Sequence, residues 1–175
     1  IIGIALGYNS INLQELALGA LLHDVGKMLI PKEILNKPDK FSAEETKLMQ
    51  LHCEFGFNIL RKQSYEMSLL SIHVAYQHQE KYDGTGYPRG LKGSEIHEYA
   101  RIAAIADVYD ALTADRPYRV AMLPYEAYEI MMASANSHFD VDILKCFLRQ
   151  VALYPVGTVV QLNTGEIGIV TNVLK

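Results

Sequence analysis

The chain has 175 residues, half of them apolar and 21% charged, with a formal net charge of −4, a size at which one domain with a modest extension buries roughly 70% of its unfolded surface without disulfide staples. Two cysteines, Cys53 and Cys146, are too few for a disulfide framework, so both read as buried structural thiols in a reducing, cytoplasmic compartment. No apolar run approaches the roughly 18 to 20 residues of a membrane span, nothing resembles a secretory leader, and the negative charge argues against a nucleic acid polymer while leaving room for a local anion site.

The chain opens on IIGIALGYN, an apolar stretch that reads as the end of a helix whose beginning lies upstream. From Leu13 to Asp24, apolar Leu13, Leu16, Ala17, Ala20 and Leu21 recur at spacings of three and four, which predicts a helix with one packed face that Gly26 and Pro31 terminate. Ser42 with Glu45 forms a capping-box pattern, and behind it Leu48, His52, Phe55 and Ile59 share one stripe, so His52 is expected to point inward. Further helices are expected from about Ser64 to Gln79, Tyr99 to Ala114, Pro124 onward with proline in the first turn, and Asp140 to Ala152. Between the third and fourth lies EKYDGTGYPRGLKG, whose glycines and Pro88 forbid regular structure and predict a shaped loop. After Pro155 the pattern changes: Thr158 to Leu162, a turn at Asn163 to Gly165, and Ile167 to Val173 read as a β-hairpin. A lone hairpin is marginal in water, so it must pack on the helices or continue beyond Lys175. The expected architecture is all-α, a helical bundle over residues 1–152 with its first helix truncated, followed by a small β-hairpin extension over 153–175.

The chemistry-bearing residues lie on separate helices. His23 and Asp24 are adjacent, so on a helix their side chains diverge by about 100° and can serve two neighbouring metals, with the carboxylate bridging. Lys27 follows four residues after His23, where its ammonium can meet an anionic oxygen of a bound phosphate. Asp107 sits in the apolar run RIAAIADVYDALTA, where a carboxylate needs a cation or hydrogen-bond partner. Taken singly, each has a simpler reading: His52 as a hydrogen-bonded core histidine, Lys27 as a solvated charge, His73, His97 and His138 as ordinary structural histidines. The joint occurrence of His23-Asp24, His52, His78-x-Glu80 and Asp107 with a flanking lysine favours a buried metal cluster acting on a phosphoester.

In order and spacing, HDVGK, IPKEIL, the helix carrying His52, HQEKYDGTGYPRGL and ARIAAIADVYDALTADRPYR resemble the HD-GYP family of cyclic di-GMP phosphodiesterases, from about Leu13 to Leu148. The Gly86-Tyr87-Pro88 triplet together with HDVGK makes the resemblance specific. It implies an HD-domain helical bundle that hydrolyses cyclic di-GMP to linear pGpG or GMP in bacterial second-messenger signalling. It also implies two or more divalent metals, iron or manganese favoured over zinc, held by His23, Asp24, His52, His78 and Asp107. Asp24 and Lys27 become the catalytic pair, and Lys27, Tyr87, Asp110, Arg116 and Arg119 the substrate contacts, with Tyr87 stacking on or hydrogen-bonding to guanine. Domains of the diguanylate-cyclase type are the implied partners of the GYP loop. Where the family has two consecutive histidines this chain has His78 and Gln79, and an amide is a far poorer ligand than imidazole. That departure keeps a second expectation open, a module of reduced or lost activity that binds nucleotide or a signalling partner.

Overall fold

A computed structural model describes residues 1–62, 67–115 and 120–173. Its elements are α1 (Ile2–Ala5), α2 (Ser10–Leu22), a 3-10 turn (Val25–Leu29), α3 (Lys32–Leu35), α4 (Ala43–Gln50), α5 (His52–Arg61), α6 (Leu69–Gln77), a second 3-10 turn (Gly93–Glu95), α7 (Glu98–Thr113), α8 (Pro124–Ala133), α9 (Val141–Leu148) and the strands β1 (Val159–Gln161) and β2 (Ile167–Ile169). The all-α expectation holds, with a two-stranded antiparallel sheet at the end of the chain.

The centre of the bundle is α6, which packs against α2, α5 and α7. Its Ser71, Ile72, Val74, Ala75 and Gln77 are all buried, as a helix enclosed on most sides requires. Gly19 lets α2 approach, because a Cβ there would lie 2.7 Å from Val74 Cγ2 and 2.8 Å from the Ser71 carbonyl oxygen. On the other side Gln77 reaches α7: its Oε1 accepts the N–H of His97, the residue that caps that helix, at 2.7 Å. A large apolar core of Leu16, Val74, Ile102, Ile105, Met131, Leu144 and Phe147 joins α2, α6, α7, α8 and α9, and a smaller cluster of Leu60, Ile72 and Ala75 lies between α5 and α6.

Several expectations are corrected. The helix expected to run through Ser42, His52 and Ile59 is two helices that meet at Leu51, and the buried face of the second is His52, Cys53, Gly56 and Leu60. The capping box of Ser42 and Glu45 is present. Leu21 does not belong to the packed face of α2, being 78% exposed, and Cys146 is only half-buried, whereas Cys53 is buried as expected. The helix expected from Leu13 to Asp24 is α2 and ends at Leu22, so His23 and Asp24 occupy its exit rather than its body. In the hairpin Val159 pairs with Ile169 and Gln161 with Ile167. One face, with Val159, Ile167 and Ile169, is exposed, while half-buried Val160 and Val170 turn towards a hollow shared with Leu123, Tyr125 and Tyr154. The hairpin therefore leans on the start of α8. No described helix is long and apolar enough to cross a membrane.

Candidate metal centre

Five elements deliver the expected ligands to one place. His23 closes α2 and Asp24 opens the 3-10 turn. That turn lies directly on α5: a Cβ on Gly26 would stand 1.9 Å from the His52 carbonyl oxygen and 2.4 Å from the Gly56 nitrogen. His52 begins α5, His78 closes α6 and Asp107 lies within α7. His52 and His78 are each 2% exposed.

Backbone carbonyls set the state of all three imidazoles. Nδ1 of His23 lies 2.7 Å from the Ala20 oxygen and Nδ1 of His52 2.7 Å from the Met49 oxygen, while Nδ1 of His78 lies 3.2 Å from both the Val74 and the Ala75 oxygens. A carbonyl only accepts, so each Nδ1 carries the hydrogen and each Nε2 presents a lone pair unless it takes up a second proton. The three Nε2 atoms converge. Nε2 of His52 and of His78 are 3.2 Å apart, and Asp24 Oδ1 lies 3.5 Å from the first and 3.6 Å from the second. Asp24 Oδ2 is 3.3 Å from His23 Nε2, which is 3.7 Å from Asp107 Oδ1. Buried His23 Nε2 and Asp24 Oδ1 have no hydrogen-bond partner among the described residues. Acceptors aimed at acceptors are costly in a dry site unless a cation lies among them. The donors also fit one chemically, since ligating imidazoles commonly donate the other ring N–H to a carbonyl. Two trios have donor atoms within 4.8 Å of one another, His23 with Asp24 and His78, and His52 with Cys53 and His78.

The electrostatics describe the same competition between proton and metal. Burial alone would lower the pKa of His23, but the Asp107 and Asp24 carboxylates outweigh it and hold the imidazole up at about 10, from an ordinary 6.5. The two carboxylates act from 3.3 and 3.7 Å, by polar contact with the ring N–H and by their charge. Asp24 is pushed the other way: burial raises it, and His23, His78 and Lys27 more than reverse that. His23 also holds Asp107 below the usual carboxylate range against its burial. Burial lowers His52 and raises the Cys53 thiol.

A pH dependence follows. The raised His23 contributes stability that is complete below about 6.5 and is lost as pH rises through about 10. The depressed carboxylates contribute stability above about 3.9 that disappears in acid. Metal-stripped protein is thus expected to lose thermal stability from pH 6.5 to 10 in scanning calorimetry. Metal affinity should rise about tenfold per pH unit over that range as the His23 proton is displaced. An unchanged affinity across the range would remove His23 as a ligand.

The other expected site residues divide. Lys27 Nζ sits 2.5 Å from Asp24 Oδ2, so its first partner is the Asp24 carboxylate. Tyr87 stands edge-on to His52 with ring centroids 6.2 Å apart, beside the centre, and burial raises its pKa. Asp110 is exposed one turn beyond Asp107. Arg116 and Arg119 lie outside the described residues. His73 meets Gln77, His97 caps α7 and the His138 carbonyl receives Tyr82 N–H, so these three keep structural roles.

Glu80, grouped with His78 as a candidate ligand type, has a different task. It is 4% exposed, with Oε1 accepting the Arg89 N–H at 2.8 Å and Oε2 the Leu91 N–H at 3.0 Å. It therefore clamps the GYP loop, which Gly86 seats so tightly that a Cβ would lie 2.2 Å from the Lys81 nitrogen. Glu80→Ala removes two charge-assisted bonds and is expected to cost about 2 kcal/mol of stability. Urea unfolding measures that loss, and an unchanged midpoint would refute the clamp.

Residues 1–143 match the model of the HD domain family. The chain belongs to the HD domain family. Among its relatives, the chain is 43% identical over 157 residues, 90% of its length, to a cyclic di-GMP phosphodiesterase of Pseudomonas aeruginosa, of which it covers 37%. It is 42% identical over 128 residues, 73% of its length, to a 3'3'-cGAMP-specific phosphodiesterase of Vibrio cholerae, of which it covers 24%. The HD domain also superposes on an HDG"Y"P protein from Bdellovibrio bacteriovorus with a TM-score of 0.68 at 25% identity, covering 85% of this chain and 47% of that one. The chain thus spans less than half the length of each of these relatives.

Proposed function

We propose that the HD domain is a metal-dependent phosphodiesterase that opens a cyclic dinucleotide, cyclic di-GMP first among them, to the linear dinucleotide or the mononucleotide. The observation that carries this reading is the convergence of three imidazole Nε2 atoms on the two oxygens of Asp24, beside the loop that holds Tyr87. His52, His78 and Asp24 Oδ1 form one subsite, and His23, Asp107 and Asp24 Oδ2 the other. Divalent metals held there supply Lewis acidity, which activates water and neutralises charge on the attacking and leaving oxygens. Asp24 keeps the two subsites in fixed register, and Lys27, with one N–H on Asp24, has two more to offer a non-bridging phosphate oxygen. Tyr87 borders the base-binding side, and Asp110, Arg116 and Arg119 are assigned to the rest of the substrate. Iron or manganese is the metal of this reading, the cytoplasm its compartment, and cyclase-type domains its partners through the GYP loop.

The relatives named for cyclic di-GMP and for 3'3'-cGAMP support the substrate class. The test is turnover of both cyclic dinucleotides by protein loaded with iron or manganese without oxygen. Intact substrate after full loading of the full-length protein overturns the proposal.

One observation favours the reduced-activity reading. Gln79 Nε2 lies 3.4 Å from Asp107 Oδ2, so an amide donor stands where an imidazole acceptor would add a ligand. Gln79→His is expected to raise the metal bound per chain, read by elemental analysis, and an unchanged metal content removes Gln79 as a cause of weak activity.

A further inference from the structure

We infer that Cys53 is a metal ligand of the subsite formed by His52, His78 and Asp24, giving that subsite a two-imidazole, one-carboxylate, one-thiolate donor set. The inference rests on the proposed metal centre and extends it to a residue that its phosphodiesterase reading does not use. Cys53 is fully buried at 0% exposure, next to His52 in the first turn of α5. Its Sγ lies 3.5 Å from His52 Nε2.

Distances separate a ligand from a bystander. Around a tetrahedral ion with metal–nitrogen bonds of about 2.0 Å and metal–sulfur bonds of about 2.3 Å, two nitrogens stand about 3.3 Å apart and a nitrogen and a sulfur about 3.5 Å. The chain places His52 Nε2 3.2 Å from His78 Nε2 and 3.5 Å from Cys53 Sγ. Cys53 offers its sulfur within 4.8 Å of ligand nitrogens of both imidazoles, and Asp24 Oδ1 lies 3.5 and 3.6 Å from the same two rings. The second observation, independent of the cysteine, is the pair of buried imidazoles whose Nδ1 atoms are committed to carbonyls and whose Nε2 atoms lie 3.2 Å apart. An S–H group beside them supplies a hydrogen to His52 alone, whereas a cation satisfies both nitrogens, the sulfur and the carboxylate at once. On binding, the thiol proton leaves to solvent as the sulfur–metal bond forms, and no electron changes hands. A thiolate shifts the preference of this subsite to borderline ions such as Zn2+, Fe2+ and Co2+ and away from the harder Mn2+. The two subsites then differ in the metal they prefer, the His23 and Asp107 side having only nitrogen and oxygen donors.

Cobalt(II) added to metal-stripped protein reads the donor set directly. The expected spectrum contains a near-ultraviolet sulfur-to-cobalt charge-transfer band that survives Cys146→Ser and is lost in Cys53→Ser, with metal affinity in the latter weakened at least the roughly tenfold that even an outer-shell partner costs. Cobalt bound with its visible ligand-field bands but no sulfur band, or a sulfur band that survives Cys53→Ser, overturns the Cys53 assignment and leaves the imidazole centre standing. No cobalt bound at all overturns the centre itself and this inference with it. Should Cys53→Ser fail to fold, X-ray absorption of the zinc-loaded Cys146→Ser protein decides: a sulfur neighbour at about 2.3 Å supports the ligand, and a shell of nitrogen and oxygen alone refutes it.

Discussion

Asp24→Asn is expected to strip metal from both subsites and to lower cyclic-dinucleotide turnover by roughly 10^3-fold, about 4 kcal/mol of transition-state stabilisation at 1.36 kcal/mol per decade. No other ligand should cost as much. His52 and His78 face Asp24 Oδ1, and His23 and Lys27 face Oδ2, so this carboxylate alone touches every nitrogen of the centre described. An asparagine preserves the shape, keeps one weak acceptor oxygen and turns a donor N–H towards lone pairs on the other side. Both subsites then lose a charged ligand. His23→Ala, by contrast, empties only one of them, and the His52 and His78 side should retain its metal. Elemental analysis and a turnover assay on the same preparations check the ordering. An Asp24→Asn protein with native metal content and a rate within about tenfold of native would refute Asp24 as the bridge.

Much of the centre was legible because it is written in residue types that have few other uses in apolar surroundings. The inward His52 came from a helical stripe, and Asp107 from a carboxylate among alanines and isoleucines. Other features had no local signal. The exit of α2 just before His23 and the break at Leu51 are set by how α2, α5 and α6 meet, and spacing alone treats both stretches as continuous helix. Leu21 fitted the three-four spacing but faces solvent, because Gly19, rather than a large side chain, makes the tight contact with α6. The task of Glu80 was hidden for a related reason. Its partners are backbone N–H groups 9 and 11 residues downstream, and backbone hydrogens leave no trace in side-chain chemistry.

Gly26 is the strongest case of such hidden geometry. Gly26→Ala is expected to lower stability by about 3 kcal/mol, which for a chain of this size is a fall of roughly 6 to 12 °C in Tm, and to cut turnover by about 10^2-fold. A Cβ placed 1.9 Å from the His52 carbonyl oxygen and 2.4 Å from the Gly56 nitrogen meets only backbone. No side chain can swing aside, so the 3-10 turn and α5 must separate by about an ångström or more. One body carries Asp24 and the other His52, and the separation opens the subsite between them. Gly56→Ala, across the same contact, has the opposite expectation. Its Cβ would lie 3.3 Å from the Gly26 nitrogen and 3.4 Å from Ala75 Cβ, a displacement of a few tenths of an ångström. Alanine within a helix regains up to about 1 kcal/mol of propensity, which offsets that strain and leaves the variant near native stability with metal bound. Thermal unfolding and metal content measured on the two variants side by side separate a steric effect at one position from a general intolerance of the interface, since equal losses at Gly26 and Gly56 would contradict the geometry argued here.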